Sequence, residues 1–573
     1  MLPEAFVERM RRMLGAEYEA FAETFGEERS QALRLNPLKR GADGRSAAAK
    51  YGADGSCGLG ERDGSTSRAA GNPVSSKVPW AEDGYYYRPE EQPGKHPFHE
   101  AGVYYIQEPS AMAPAELLDV KPGERVLDLC AAPGGKSTQI AAKLQGRGIL
   151  ICNEIHPVRA RILSENIERM GICNACVTNE TPEHLAELFP VFFDKIMVDA
   201  PCSGEGMFRK NEAACHEWSP ENVELCAKRQ DKILDQAAGM LRPGGKLVYS
   251  TCTFAPEEDE GSVARFLCRH SDFTVLPIDK ERLGLAGCDG GAEYPGPADM
   301  MLEHGNESDA EAVFGFRPEM TLRIWPQRVR GEGHYAALLQ KAGVRERVLG
   351  GIDVQKGSDR ENALVGTDVQ KGSDRENALG GIDVQRGSDR ENALVGADVQ
   401  KGMRGRKAGQ DKDMEAFFSF CRENLQPSIL SKAEGDDSFY AGIGRAVGMG
   451  EEVRILRFGE NVYLVPAMTP SLRGLKVLRP GLQLGTLKKN RFEPSHALAL
   501  ALPPAYAAHV RNLDIPDQLV KAYLKGQTFP AQGEKGWYLI CVDGFSIGWG
   551  KLAGGIMKNH YPIGLRRKDL KES

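Results

Sequence analysis

An α/β fold built on a doubly wound parallel sheet is what this sequence predicts, from three observations. Between residues 121 and 343, short apolar runs of strand length alternate with amphipathic helical stretches. A glycine-rich turn, "DLCAAPGGKST", follows the first run. Polar and thiol side chains gather where the runs end, and ligands of such sheets bind beyond the carboxyl ends of the strands.

The elements follow in order. "ERVLDLC" reads as a strand, "GGKSTQIAAKL" as a helix, "GILICNE" as a strand, "PVRARILSENIERMG" as a helix and "NACVTN" as a strand. "FDKIMVDA" is the fourth strand, "VELCAKRQDKILDQAAGML" a helix and "GKLVYSTC" the fifth strand. The acidic "APEEDEG" after it reads as a helix start, with Pro256 and carboxylates in the first turn.

Around this block the 573 residues allow about three domains with linkers. The chain opens on an amphipathic helix, "MLPEAFVERMRRMLGAEYEAF". Residues 41–77 are rich in Gly, Ala and Ser and read as a disordered insert. From Gly350 to Gly402 a 15-residue unit, "GGIDVQKGSDRENAL", repeats in tandem. It is too short and too polar for a solenoid, so 344–413 reads as a flexible linker. A small block at 414–475 and a basic block at 476–573 complete the chain.

Composition, with 41% hydrophobic and 27% charged residues, fits a soluble globular protein. No apolar run reaches the roughly 20 residues a membrane helix needs, and the expected address is the cytoplasm. Thirteen scattered cysteines argue for reduced thiols rather than a disulfide framework. The formal charge is −7, yet Lys476 to Ser573 carries fifteen Lys and Arg against seven Asp and Glu. A basic tail beside an acidic body suggests a polyanionic partner. Cys173-x-x-Cys176 has no second ligand pair, and no metal is expected.

The strand ends carry the chemistry. "GGKST" imitates a phosphate-cradling loop, but Cys130 occupies the position of its first glycine, which weakens a nucleotidase reading. Glu154 stands twenty residues beyond Gly134, the spacing of a carboxylate that accepts from ribose hydroxyls. Asn179 ends the third strand, as an adenine contact or a turn-forming residue. Asp199 and Cys202 end the fourth strand, Arg209 and Lys210 follow, and Cys252 ends the fifth. If the fourth and fifth strands are neighbours, two thiols and a carboxylate face one crevice.

That cast suits methylation of an unactivated aromatic carbon such as pyrimidine carbon-5. A thiolate adding to carbon-6 loads electrons into the ring. Asp199, with a retained or shared proton, would stabilise charge at N3, and a second residue would remove the carbon-5 proton. These residues alone leave open which cysteine attacks.

"VLDLCAAPGGKSTQIA", "VDAPCSGEG" and "LVYSTCTF" together resemble the Sun-type family of S-adenosylmethionine-dependent RNA (cytosine-5) methyltransferases. "ALRLNPLK" near the start and "GLQLGTLKKNRFEPSHALALAL" near the end resemble the methyltransferase F group of that family, bacterial enzymes of small-subunit ribosomal RNA. The resemblance implies a Rossmann-like methyltransferase sheet at 121–343, an N-terminal α+β RNA-binding piece at 1–120, and a PUA-like small β-barrel domain at 476–573. It implies Cys252 as nucleophile, with Cys202 assisting release and Asp199 beside them. It also implies S-adenosylmethionine contacts by Cys130, Ala131, Ala132, Pro133, Gly134, Gly135, Lys136, Glu154, Asn179 and Asp199.

RNA contacts are expected from Arg209, Lys210, Lys488, Lys489, Arg491, Lys558, Arg566 and Arg567, with Phe492, Trp549 and Tyr561 interleaved. Trp549, with Trp537, is also a candidate for the core. The expected activity is cytidine methylation in 16S ribosomal RNA by a monomer, with ribosomal RNA or the small subunit as partner. The same chemistry on transfer RNA or large-subunit RNA, or a non-catalytic assembly factor, are the competing readings.

Overall fold

The computed structural model describes residues 2–51, 74–210, 212–291, 316–343, 414–429, 436–515 and 517–567. The 15-residue repeats lie outside the described residues.

The N-terminal helix spans Glu4–Leu14 and buries Phe6 and Met10. A four-stranded antiparallel sheet follows, in the spatial order Val74–Lys77, Gly84–Tyr87, Gln31–Leu35, Tyr104–Ile106. The expected disordered insert is therefore too wide at both ends. Ala47–Tyr51 is helical, and Val74–Lys77 pairs with Gly84–Tyr87; residues 52–73 lie outside the described part.

The central sheet contains β1 (Arg125–Asp128), β2 (Ile149–Asn153), β3 (Ala175–Thr178), β4 (Phe193–Asp199), β5 (Leu241–Thr251), β6 (Phe273–Leu276), β7 (Leu322–Ile324), β8 (His334–Lys341) and β9 (Val477–Arg479). Its order is β6-β8-β5-β4-β1-β2-β3-β9, with β7 also paired to β8. Strands β1 to β5 are mutually parallel, and the order reverses between β1 and β4, which opens a crevice at their C-terminal ends. Helices α1 (Gly135–Leu144), α2 (Pro157–Arg169), α3 (Pro182–Leu188), α4 (Pro220–Met240) and α5 (Glu260–Arg269) complete the layers. Proline at N1 starts α2, α3 and α4, and Thr181 and Ser219 cap the last two through their hydroxyls. Both faces of the sheet are covered, so β2 is buried at every position and reads as an unbroken apolar run.

Four strands, β6 to β9, lie beyond the sequence reading. β8 runs antiparallel between β5 and β6, and β9, from the C-terminal half, pairs antiparallel with β3 and covers that edge. The expected helix start in "APEEDEG" is also displaced: α5 begins at Glu260, and Glu258 and Asp259 are fully buried.

The strands Val453–Phe458, Asn461–Pro466, Leu482–Lys488 and Arg491–Pro494 form one antiparallel sheet. A division at 475/476 cuts through it, so Lys488, Lys489 and Arg491 sit on this domain and not on the tail. The tail has five strands, in the order Val510–Leu513, Gly536–Val542, Phe545–Ala553, Ile556–Asn559, Phe529–Pro530. Trp537, Trp549, Phe492 and Tyr561 are all buried, which makes them core residues rather than platforms for bases. Phe492, for instance, meets Phe417 and Phe420 at 5.1 and 5.2 Å.

Candidate active site

The first turn connects β1 to α1. Gly134 has φ +116°, a backbone region that favours glycine, and a Cβ there would stand 3.2 Å from Leu163. Arg34 reaches this turn from the N-terminal sheet, donating to the Gly135 carbonyl at 3.2 Å and to Thr138 Oγ1 at 2.7 Å. Asp128, at the end of β1, is fully buried and accepts from Ser137 Oγ at 2.6 Å, while its Oδ1 has no partner among the described residues. Burial pushes its carboxyl up to about 7; Ser137 opposes this and the Asp199 charge adds to it.

Glu154 follows β2, almost wholly buried. It accepts from the His156 N–H at 2.9 Å and faces Arg159 at 3.4 Å. The Asn179 amide donates to the carbonyls of Glu154 and Ile155 at 2.7 and 2.8 Å. Its donors brace the turn that presents Glu154, the turn-forming alternative of the sequence reading.

Strands β4 and β5 are neighbours, with Asp199 opposite Ser250. Lys136 Nζ lies 2.9 Å from Asp199 Oδ2, and Ser250 Oγ donates to Asp199 Oδ1 at 2.8 Å. Burial alone would raise the Asp199 carboxyl, but Lys136 and His334 outweigh it and hold the group well below the usual carboxylate range. Set against the expected retained or shared proton, these neighbours favour the ionised, accepting form of Asp199.

The sulfurs of Cys202 and Cys252 are 3.4 Å apart. One residue further along each segment, Ser203 and Thr253 share a hydroxyl contact of 2.8 Å, which ties the two turns together. The Gly206 N–H donates to the Cys252 carbonyl at 2.8 Å. The contact with the Cys252 thiol and burial push the Cys202 thiol well up, so it keeps its proton.

A buried polar shell supports these turns. Glu258 accepts from the Ser203 N–H at 3.0 Å and from Gln230 at 2.8 Å, and burial pushes its carboxyl up to about 7. Thr251 and Asp259 are 2.5 Å apart, and Arg323 contacts both Asp259 and Glu260. Glu205, also buried, accepts from Trp218 at 2.8 Å and the Phe254 N–H at 3.0 Å, and pairs with Arg9 of the N-terminal helix. Sequence reasoning missed Glu258, Asp259, Glu205, Arg323 and His334. The acidic run 257–260 was the one visible signal, and periodicity does not separate buried carboxylates from a solvated helix start.

Several expected RNA contacts are otherwise engaged. Arg209 is nearly buried, 3.5 Å from Glu332, and donates to the carbonyls of Glu27 and Glu28. Arg567 pairs with Glu100 at 2.7 Å and donates to the Lys95 and Gly94 carbonyls, docking the tail on the N-terminal region. Arg566 donates to the Tyr561 carbonyl at 3.4 Å. Lys488 and Arg491 form exposed pairs with Glu460 and Glu493. Lys210, Lys489 and Lys558 are exposed.

The switch-point crevice, the glycine turn, the ribose-type carboxylate and the paired thiols define a Rossmann-like methyltransferase. The chain belongs to the 16S rRNA methyltransferase RsmB/F family, whose model matches residues 115–340. The N-terminal domain of 16S rRNA methyltransferase RsmF matches residues 2–53 and 62–109, the RsmF first C-terminal domain 445–502, and the RsmF PUA domain 510–567. Ribosomal RNA small subunit methyltransferase F of Shewanella amazonensis is 28% identical over 505 residues, 86% of each chain. Its namesake in Klebsiella pneumoniae is 33% identical over 349 residues, 59% of this chain and 63% of that one. A crystal structure of a methyltransferase homolog from Pyrococcus horikoshii is 26% identical with a TM-score of 0.45, covering 59% of this chain and 95% of that one. Among the described residues no helix is long and apolar enough to cross a membrane, and no cluster of His, Cys, Asp and Glu could hold a metal ion.

Proposed function

We propose that this protein methylates carbon-5 of a cytidine in 16S ribosomal RNA, free or within the small subunit in the cytoplasm, through a covalent cysteine–cytosine adduct. The observation that carries the reading is the pair of thiols 3.4 Å apart beside an ionised Asp199 held by Lys136.

The residues at the crevice fit S-adenosylmethionine. Glu154 offers acceptors for ribose hydroxyls, Asp128 keeps an unpartnered buried oxygen, and the 130–135 backbone lets a ligand approach closely. When bound, S-adenosylmethionine supplies the methyl group as an electrophile.

The protein's own residues do the rest. The Cys252 thiolate adds to carbon-6, forming the S–C6 bond and placing an electron pair at carbon-5. Asp199 accepts from the cytosine amino group, and the Lys136 ammonium offsets the negative charge that grows on the ring. After carbon-5 has gained its methyl group, a base removes the carbon-5 proton. Those electrons restore the C5=C6 bond as the bond to Cys252 breaks. Cys202, touching the Cys252 sulfur, assists that release.

Trapping tests this. A Cys202→Ala variant should accumulate a covalent RNA complex that survives denaturing gels, and Cys202→Ala/Cys252→Ala should not. An enzyme that keeps full activity without Cys252 refutes the mechanism. Bisulfite sequencing of ribosomal RNA from cells lacking the protein should show a lost 5-methylcytidine.

A further inference from the structure

His334 starts β8, the antiparallel strand that flanks β5. It is 4% exposed, and among the described residues its shielded Nε2 has no hydrogen-bond partner; the Asp199 Oδ1 stands 3.5 Å away. A buried imidazole nitrogen that stands 3.5 Å from the Asp199 carboxylate calls for a role.

We infer that His334 is a positioning residue, whose Nε2–H donates to Asp199 and fixes that carboxylate for the cytosine edge. This rests on the proposed cytidine chemistry.

Its own position is over-determined. Ile324 of β7 pairs with it in register, and the Glu332 N–H beside it donates to Glu108 at 2.9 Å. Gly333 has φ +108°, and a Cβ there would lie 2.5 Å from the Phe254 ring, so the turn into β8 admits glycine alone. The loop also lies against the reacting strand: a Cβ on Gly206 would meet the carbonyls of Cys252, Gly333 and Glu332 together.

The surrounding charges set the form of the ring. Asp199 is faced by Lys136 from α1, Ser250 from β5, Asp128 from β1 and His334 from β8. His334 is faced by Lys136, Asp199 and Glu108. Burial first, and Lys136 second, lower its affinity for a second proton, so the neutral ring offers one N–H. Lys136 holds Oδ2, and Ser250 and His334 hold Oδ1, which fixes the carboxylate plane. Hydrogen bonds of this kind are often long before substrate binds and tighten afterwards.

Glutamine places its amide nitrogen where Nε2 stands, whereas asparagine stops at the position of Nδ1. The rate of adduct formation on a 16S RNA substrate is measured in a Cys202→Ala background. His334→Asn should slow it about ten- to a hundredfold, the loss of one hydrogen bond to a charged group. His334→Gln should stay within about threefold of the parent, and KM for RNA should be unchanged in both. His334→Phe, of similar shape without a donor, should match the Asn variant and replaces it if that protein does not fold. A donor-less variant reacting at the parent rate, or a Gln variant as slow as the donor-less ones, overturns the inference. A parent protein that forms no adduct at all refutes the functional reading instead.

Discussion

Arg323→Met tests how much of the active-site frame depends on one buried cation. Arg323 is 1% exposed and lies 2.9 Å from Asp259 and 3.1 Å from Glu260, with a second contact to Glu260. It also donates to the Phe254 carbonyl at 3.0 Å. Burial would loosen its hold on its proton, and Glu260 and Asp259 more than reverse that. Burial pushes the Asp259 carboxyl well up, so Glu260 is the chief counter-charge. Removing the guanidinium leaves that charge buried and alone, a loss of about 3–5 kcal/mol. Because Asp259 holds Thr251, next to Cys252, the damage falls on the strand of the proposed nucleophile. Urea unfolding followed by tryptophan fluorescence reports it locally, since Trp325 stacks on Phe254 at 5.1 Å and Arg323 lies over its ring. Arg323→Met/Glu260→Gln should recover most of the loss, because the orphaned charge is gone. A single-variant loss below about 1 kcal/mol, or no recovery in the double variant, refutes the reasoning.

Four further outcomes are expected. Gly206→Ala puts a Cβ 2.9 Å from the Cys252 carbonyl, so kcat should fall about ten- to a hundredfold while the protein still folds; wild-type kcat would show that the turn yields freely. Oxidised glutathione should join Cys202 to Cys252, releasing two reduced glutathiones and stopping catalysis until a dithiol is added, and peptide mapping that finds no such link counts against it. Lys39 is buried, hydrogen-bonded to the Leu500 and Ser546 carbonyls with no carboxylate paired to it among the described residues, and burial pushes its ammonium down to about 7. The unfolded chain therefore binds more protons between about pH 7 and 10.5, so stability should rise with pH across that window and level off below it; Lys39→Met should flatten this slope in thermal melts. Lys489→Ala and Lys558→Ala should each reduce the log–log salt slope of RNA affinity by about 0.7 for every phosphate the side chain no longer neutralises, whereas Arg567→Ala, which unpairs Glu100, should lower melting temperature instead.

The sequence disclosed most of the parallel sheet because its strands are buried on both faces and separated by helices with proline starts. β8 and β9 stayed hidden for a different reason. His334–Lys341 pairs with a strand far back in the chain, and Val477–Arg479 is three residues long and joins a sheet whose other strands all precede residue 344. Local periodicity carries no record of such partners. The basic residues misled in the same way. Arg209 and Arg567 have the composition of phosphate contacts, yet carboxylates and carbonyls distant in sequence claim them, and the aromatic residues nearby fill cores.

The proposed reacting residues were legible and their electrostatics were not. Cys202, Cys252 and Asp199 could be placed in one crevice from strand order, since each ends an identifiable strand. The protonation of Asp199 depends on Lys136, 63 residues earlier, and on His334, 135 residues later, converging within 3.5 Å. A carboxylate that reads as an acid from its chemistry alone becomes an acceptor once those neighbours are in place. The chemistry then shifts with it: an ionised Asp199 favours a base that presents an amino group at that edge, as cytosine does, over one that presents a carbonyl, as uracil does. On the proposed chemistry, the preference for cytidine rests on Lys136, Ser250 and His334 gathered around one carboxylate by the fold, and His334 arrives on a strand whose place in the sheet the sequence did not show.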